Sequence, residues 1–184
     1  VSRHPPGNVV AGVGLAVSDR VKDAFERLAP IGSARRAGCQ GAVAGLVGTV
    51  VMTAGEKVEQ VLTGRRNSYV PAHTLQRLLG HAEPRDSDGW NQTMHWGTGV
   101  VVGVAGGLVG RAGLRGVRGF LALTGARVAF DHALETATRV ERSPWSWPAP
   151  LLAVDTWHKA VYALVTGAVV DRLDGRSQHP AHRS

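Results

Sequence analysis

Glu56, Lys57 and Glu59, then Arg127, Asp131, His132 and Glu135, then Asp155, His158 and Lys159 form three tight groups of ionisable residues, each set in or against an apolar stretch. His95 stands alone in a fourth. Carboxylates and imidazoles together are the groups that relay protons, and imidazole changes charge between about pH 5 and 8. The same residues could take a cation or a small polar solute. They could also simply pair, since Arg127 with Asp131 and Asp155 with Lys159 have the four-residue spacing that brings side chains together on a helix. A metal site is a further reading: Asp155-x-x-His158 puts a carboxylate and an imidazole on one helical face, and Glu56, His95 and Glu135 would complete a mixed nitrogen and oxygen shell. Dimetal bundles supply Glu-x-x-His twice, whereas His132-x-x-Glu135 reverses the order. No Gly-x-Ser-x-Gly elbow occurs and no serine lies in these groups, so enzymatic hydrolysis is not expected, and no cofactor is expected either.

The elements that must position these residues are helices. Residues 37–55 carry no charge and continue helically to Leu62, about 26 residues, against the about 20 that cross a hydrocarbon core. Gly41, Gly45 and Gly48 give this first helix the small-residue spacing that lets membrane helices approach closely. Residues 89–110 are a second uncharged run, interrupted by His95 and lined by Gly99, Gly103, Gly106, Gly107 and Gly110. Gly97, Gly99 and Gly103 imitate a dinucleotide fingerprint, but Asn91-Gln92-Thr93 is poor strand material and no strand pattern precedes them. A third helix runs from Gly119 through the Arg127 to Glu135 group, and a fourth from about Pro150 to Val170. A short helix, residues 71–79, is expected between the first two, with Pro71 near its start and Gly80 as its stop. Its Val70, Leu75, Leu78 and Leu79 would face the bilayer surface or the top of the bundle.

Composition bounds the reading. The 184 residues suit one domain or a small helical bundle, and the net charge of +7 comes almost wholly from arginine. Those arginines flank apolar runs instead of forming one basic stripe interleaved with aromatics, so nucleic acid is not an expected partner. Cys39 is alone, which excludes an intrachain disulfide and a cysteine-based zinc site. A mean hydropathy of −0.05 and the charge on helix three favour the alternative of a soluble helical bundle.

Charge asymmetry orients the membrane alternative. Arg20, Lys22, Arg27, Arg35 and Arg36, the Arg111, Arg115 and Arg118 connection, and Arg172 and Arg176 would share one side, which the positive-inside rule makes cytoplasmic for both termini. Trp90, Trp96, Trp145 and Trp147 would mark the opposite interface as an aromatic belt. At 1.5 Å of rise per residue, Glu56, His95, Arg127, Asp131, His132, Glu135, Asp155, His158 and Lys159 then fall in one polar layer, within roughly 5 to 15 Å of the outer face. The expected fold is all-α: a four-helix transmembrane bundle over 37–170, a basic cytoplasmic segment over 1–36 with an amphipathic helix over 18–28, and a cytoplasmic tail over 171–184. The lipid bilayer is the expected partner, and the glycine faces leave homo-oligomerisation open. No cleavable signal peptide is expected, because the apolar residues 8–17 are few and are followed by Asp19, Arg20, Lys22 and Asp23.

The run Met52-Thr53-Ala54-Gly55-Glu56-Lys57-Val58-Glu59, followed by Ser68-Tyr69-Val70-Pro71, with His95-Trp96 and the region from Asp155 to His158, resembles small bacterial multi-pass membrane proteins of the YagU-like kind. That resemblance implies a glycine-rich first helix ending in Glu, histidines on later helices, an inner-membrane location and a link to acid tolerance. It implies no particular ligand.

Overall fold

The computed structural model describes residues 8–141 and 146–178, with side chains described over 31–141 and 146–175. Among the described residues there are five helices and no strand: α1 (Asn8–Thr63), α2 (Val70–Leu78), α3 (Asp88–Arg111), α4 (Gly116–Ala137) and α5 (Ala149–Gln178). The chain divides into two compact units, Val1–Arg36 and Ala37–Ser184, and every polar group introduced above belongs to the second. Residues 142–145, and with them Arg142 and Trp145, lie outside the described residues, as does the side chain of Arg176.

Two boundaries depart from the expected ones. The stretch 18–28 is not a separate helix but part of α1, which begins at Asn8 and extends past Pro30. Pro30 lacks the N–H that would reach the Glu26 carbonyl, a local loss offset by the Ala, Leu, Lys, Arg and Glu around it, all good helix formers. Residues 171–178 likewise continue α5 instead of leaving it as a tail. Arg115 Nη2 holds Asp174 Oδ2 at 2.5 Å, and Gln40 Nε2 donates to the Leu173 carbonyl at 3.5 Å, so the last turns of α5 are fastened to the connection before α4 and to α1.

Glycine sets the packing of the second unit. Ala37, Gly41 and Gly45 of α1 meet Gly99, Gly103 and Gly107 of α3 with nothing between the backbones. A Cβ on Gly103 would collide with the Gly41 carbonyl and stand 2.7 Å from the Gly45 Cα, and one on Gly107 would collide with the Ala37 carbonyl. On the neighbouring face of α1, a Cβ on Gly48 would collide with Thr166 Oγ1 of α5. The surfaces open to self-association in the sequence are thus occupied within the chain. Tyr162, fully buried, donates its hydroxyl to the Gly99 carbonyl at 2.6 Å, which ties α5 to α3. Around it Met52, Val102, Leu123 and Ala163 form the apolar core, with Phe120 and Phe130 packed against it.

Between α1 and α3, α2 buries Ala72, Thr74 and Gln76 and leaves Leu78 and Leu79 exposed. Gly80, with φ of 87°, takes the left-handed conformation that ends the helix, and His81 N–H closes onto the Gln76 carbonyl at 2.9 Å. The Gln76 side chain then latches the loop that follows. Its Nε2 donates to the Arg85 carbonyl at 2.8 Å, and its Oε1 accepts from the Arg85 N–H at 3.0 Å. Gln76→Leu should leave both Arg85 backbone groups without partners, costing about 2 kcal/mol. Faster tryptic cleavage after Arg85 checks this, and an unchanged cleavage rate would show that the latch is dispensable.

Among the described residues one segment, Ile31–Thr63 of α1 with 33 residues, is long and apolar enough to cross a membrane. Glycine adds almost nothing to the hydropathy of α3, while α4 carries Arg127, Asp131, His132 and Glu135, and α5 carries Asp155, His158 and Lys159.

Candidate functional site

Helical periodicity projects the polar residues inward from four elements. Thr49, Thr53, Glu56 and Gln60 recur at three- and four-residue spacing on α1, as do Asn91, His95 and Thr98 on α3, Arg127, Asp131 and Glu135 on α4, and Asp155, His158, Lys159 and Tyr162 on α5. All of these but Thr49, Thr53, Gln60 and Tyr162 line a cavity of about 400 Å³. Of the residues expected to form one polar layer, Glu56, His95, Arg127, Asp131, Glu135, Asp155, His158 and Lys159 line it. His132 does not, but it touches two that do: Nδ1 lies 3.2 Å from Glu135 Oε2 and Nε2 lies 3.6 Å from Asp155 Oδ2. Lys57 and Glu59, from the first charged group, stay outside. Lys57 donates to Gln60 Oε1 at 3.0 Å and to Asn67 Oδ1 at 3.1 Å, and Glu59 accepts from Arg65 at 2.7 and 2.9 Å.

Two buried cations organise the interior. Arg127, 3 % exposed, donates through Nε to Asp131 Oδ2 at 2.9 Å and through Nη2 to Thr98 Oγ1 at 3.1 Å, with its guanidinium carbon 4.8 Å from the centre of the Tyr162 ring. Lys159, 6 % exposed, donates to Asp155 Oδ2 at 2.6 Å and lies 3.7 Å from Asp131 Oδ2. A buried charge is tolerated when it is paired and hydrogen-bonded, and these contacts compensate the two cations that the packed helices enclose. His95 meets Thr53 Oγ1 through Nε2 at 3.0 Å, which joins α3 to α1. Glu56 accepts from Gln60 Nε2 at 3.0 Å and lies 3.7 Å from Arg65.

The rim is built from loop residues. Arg65 bridges Glu59 and Glu56, and the Glu59 hydrogen bond together with that negative charge holds its guanidinium firmly protonated. Tyr69 donates to Asp88 Oδ1 at 3.0 Å, which raises its phenol above the ordinary value. Trp147, allotted by its spacing to an aromatic belt, instead lines the cavity and sets its ring edge-on to His132, 5.3 Å between centroids. Trp90 lies against His81 at 6.0 Å, Trp96 donates to Gln92 Oε1 at 3.0 Å, and Trp157 is the broadly exposed tryptophan of α5.

Sequence reasoning missed Arg65, Thr74, Glu141 and Trp147 as lining residues. Arg65 and Trp147 lie in connections, where no periodicity points a side chain anywhere. Thr74 is buried with Ala72 and Gln76 at two-residue spacing, which no single helical face foretells. Asp155, His158, Glu56 and His95, the candidate metal ligands, all face the cavity, yet no three His, Cys, Asp or Glu residues converge as a metal would require among the described residues.

Fold and site together define an all-α protein with, among the described residues, one membrane-span candidate and a charged, helix-walled cavity. No family model matches the chain, and no curated protein or solved structure matches it.

Proposed function

We propose that this chain is a multi-pass inner-membrane protein, with α3, α4, α5 and the part of α1 after Arg36 as spans and both termini cytoplasmic, whose polar cavity binds a small polar solute. The observation that carries the reading is the inversion of inside and outside. Val43, Val50, Val101, Val117, Leu121 and Leu164 are each more than half exposed, while Thr49, Thr98, Arg127, His132, Lys159 and Thr166 are buried. Water as the outer solvent would favour the opposite arrangement, and hydrocarbon favours this one. The resemblance to YagU-like proteins supports the same location.

A solute fits the cavity better than a bare cation does. Glu56, Asp131, Glu135 and Asp155 already face an arginine, a lysine or a histidine, so much of the negative charge that would draw in an ion is balanced within the chain. A network of paired charges would serve a merely structural role without enclosing about 400 Å³ of space. Two measurements test the proposal. The protein should remain in the membrane pellet after carbonate washing, and recovery in the aqueous fraction would overturn the membrane reading. In a Cys39→Ser background, Ser68→Cys at the cavity wall should react with a membrane-impermeant maleimide added outside intact cells. Absence of labelling there, with labelling in detergent, would show the cavity closed to the outer side.

A further inference from the structure

The first turns of α3 and α5 line the charged cavity, and their last turns line a second, smaller one of about 160 Å³, which the first turns of α4 close from the third side. Leu114, Phe120, Leu123, Ala163 and Val170 form its wall. Leu164 lines it too and is broadly exposed, so the crevice opens sideways onto the apolar outer face of the helices. Gly167 belongs to the same lining and has nothing within 4 Å of an added Cβ, so part of the wall is bare backbone facing open space. Charge enters only through Arg115 and Asp171. From Asp171 inward to Ala163 the crevice follows α5 for about 12 Å, against about 15 Å of hydrocarbon in one leaflet.

An apolar slot that opens on the lipid-facing side and carries charge at one end suits an amphiphile. We propose that this crevice holds one acyl chain of an anionic phospholipid, with the phosphate beside Arg115 and Arg118. Arg111 and Arg118 are exposed and adjoin the lining residues Gly110 and Gly119 in the chain, and the exposed Arg172 follows Asp171. Four arginines thus stand at this end against Asp171 and Asp174, and Arg115 already holds Asp174 at 2.5 Å. The surplus of positive charge favours an anionic headgroup over a zwitterionic one, by about fivefold for each arginine near the membrane surface. This rests on the membrane reading above, in which this end faces the cytoplasm, and adds a lipid of stated chemistry at a site apart from the solute cavity.

The test is thermal unfolding of the full-length protein in neutral detergent micelles carrying increasing fractions of dioleoyl phosphatidylglycerol, dioleoyl phosphatidylcholine, or glycerol 3-phosphate without chains. Phosphatidylglycerol should raise the Tm and saturate at a low fraction, phosphatidylcholine should act only at a severalfold higher one, and glycerol phosphate should have no effect. Gly167→Leu places a side chain in the crevice and should abolish the phosphatidylglycerol shift. Gly125→Leu is the control, since that α4 position also has nothing within 4 Å of an added Cβ and lies outside the lining, so its shift should match the parent's. Arg118→Gln should weaken phosphatidylglycerol about fivefold and leave phosphatidylcholine unchanged. Equal effects of the two lipids, an effect of glycerol phosphate alone, an unaltered shift in Gly167→Leu, an equal loss in Gly125→Leu, or unchanged affinity in Arg118→Gln would each overturn the proposal. Extraction of the parent protein by carbonate would remove the membrane reading and this site together. Retention in the membrane without a phosphatidylglycerol preference would remove this inference alone.

Discussion

Gly103→Val should abolish the folded state, and Gly103→Ala alone should lower stability by about 3 kcal/mol or more. The atoms that a Cβ would meet are the Gly41 carbonyl and the Gly45 Cα and N, all backbone, so no side chain can rotate out of the way. The α1 and α3 axes would have to separate. That movement would also pull Gly99 from Thr49, whose Oγ1 bonds to the Gly45 carbonyl at 2.8 Å, and would loosen the Tyr162 hydrogen bond to Gly99. The same helix supplies the control. Gly97 has nothing within 4 Å of an added Cβ, so Gly97→Ala should be neutral or stabilise by about 0.5 to 1 kcal/mol through lower chain entropy. Thermal unfolding and elution profile in detergent separate the two variants. Equal stability for Gly103→Ala and Gly97→Ala would mean that the backbones do not touch as described.

How the glycines pair was only half legible beforehand. The small-residue stripes on α1 and α3 are visible as spacing, because helical periodicity is local and exact enough to place Gly41 with Gly45 and Gly99 with Gly103. Whether such a stripe meets another helix of its own chain or of a second copy depends on the tertiary arrangement, which spacing does not contain. The polar layer behaved similarly. Glu56, His95, Asp131 and Asp155 lie on α1, α3, α4 and α5 at positions that periodicity turns inward, so their common level could be read from helix length alone.

Boundaries and rim residues were harder for a different physical reason. The shift from basic to uncharged sequence near Ala37 reads as a helix start, but composition does not stop a helix; only caps, glycine or unfavourable tertiary contacts do. The polar composition of residues 171–178 likewise reads as a tail, and a long-range pair between Arg115 and Asp174 fastens them as the last turns of α5. Arg65 lies in a connection that no periodicity orients, and its partners Glu59 and Glu56 lie six and nine residues back, across the turn at Gly64. The aromatic-belt rule reads Trp147 from its spacing to the apolar runs, and that spacing does not contain the tertiary contact that sets its indole edge-on to His132.

Arg127→Met should cost about 3 kcal/mol, and adding Asp131→Asn should recover most of it, to within about 1 kcal/mol of the parent. Removing Arg127 leaves Asp131, whose side chain is 12 % exposed, dependent on Lys159 at 3.7 Å, and Lys159 is already bonded to Asp155 at 2.6 Å. A half-compensated buried carboxylate is the expensive state, whereas the neutral pair Met and Asn of similar volume is not. The lower end of the usual range applies, since the cavity can lend Asp131 some hydration. Methionine preserves the contact with the Tyr162 ring through its own soft side chain, though the cation over that ring is lost. Asp131→Asn by itself should cost less than Arg127→Met, because Arg127 would keep Thr98 and the amide oxygen as acceptors. A double-mutant cycle read by denaturant or thermal unfolding gives the coupling directly. Strong coupling that is insensitive to added salt identifies a pair shielded from water, as the burial of Arg127 requires. Additive losses under about 1 kcal/mol each, reduced further by salt, would instead mean that water already reaches the guanidinium and that the cations are not what holds α4 against α5.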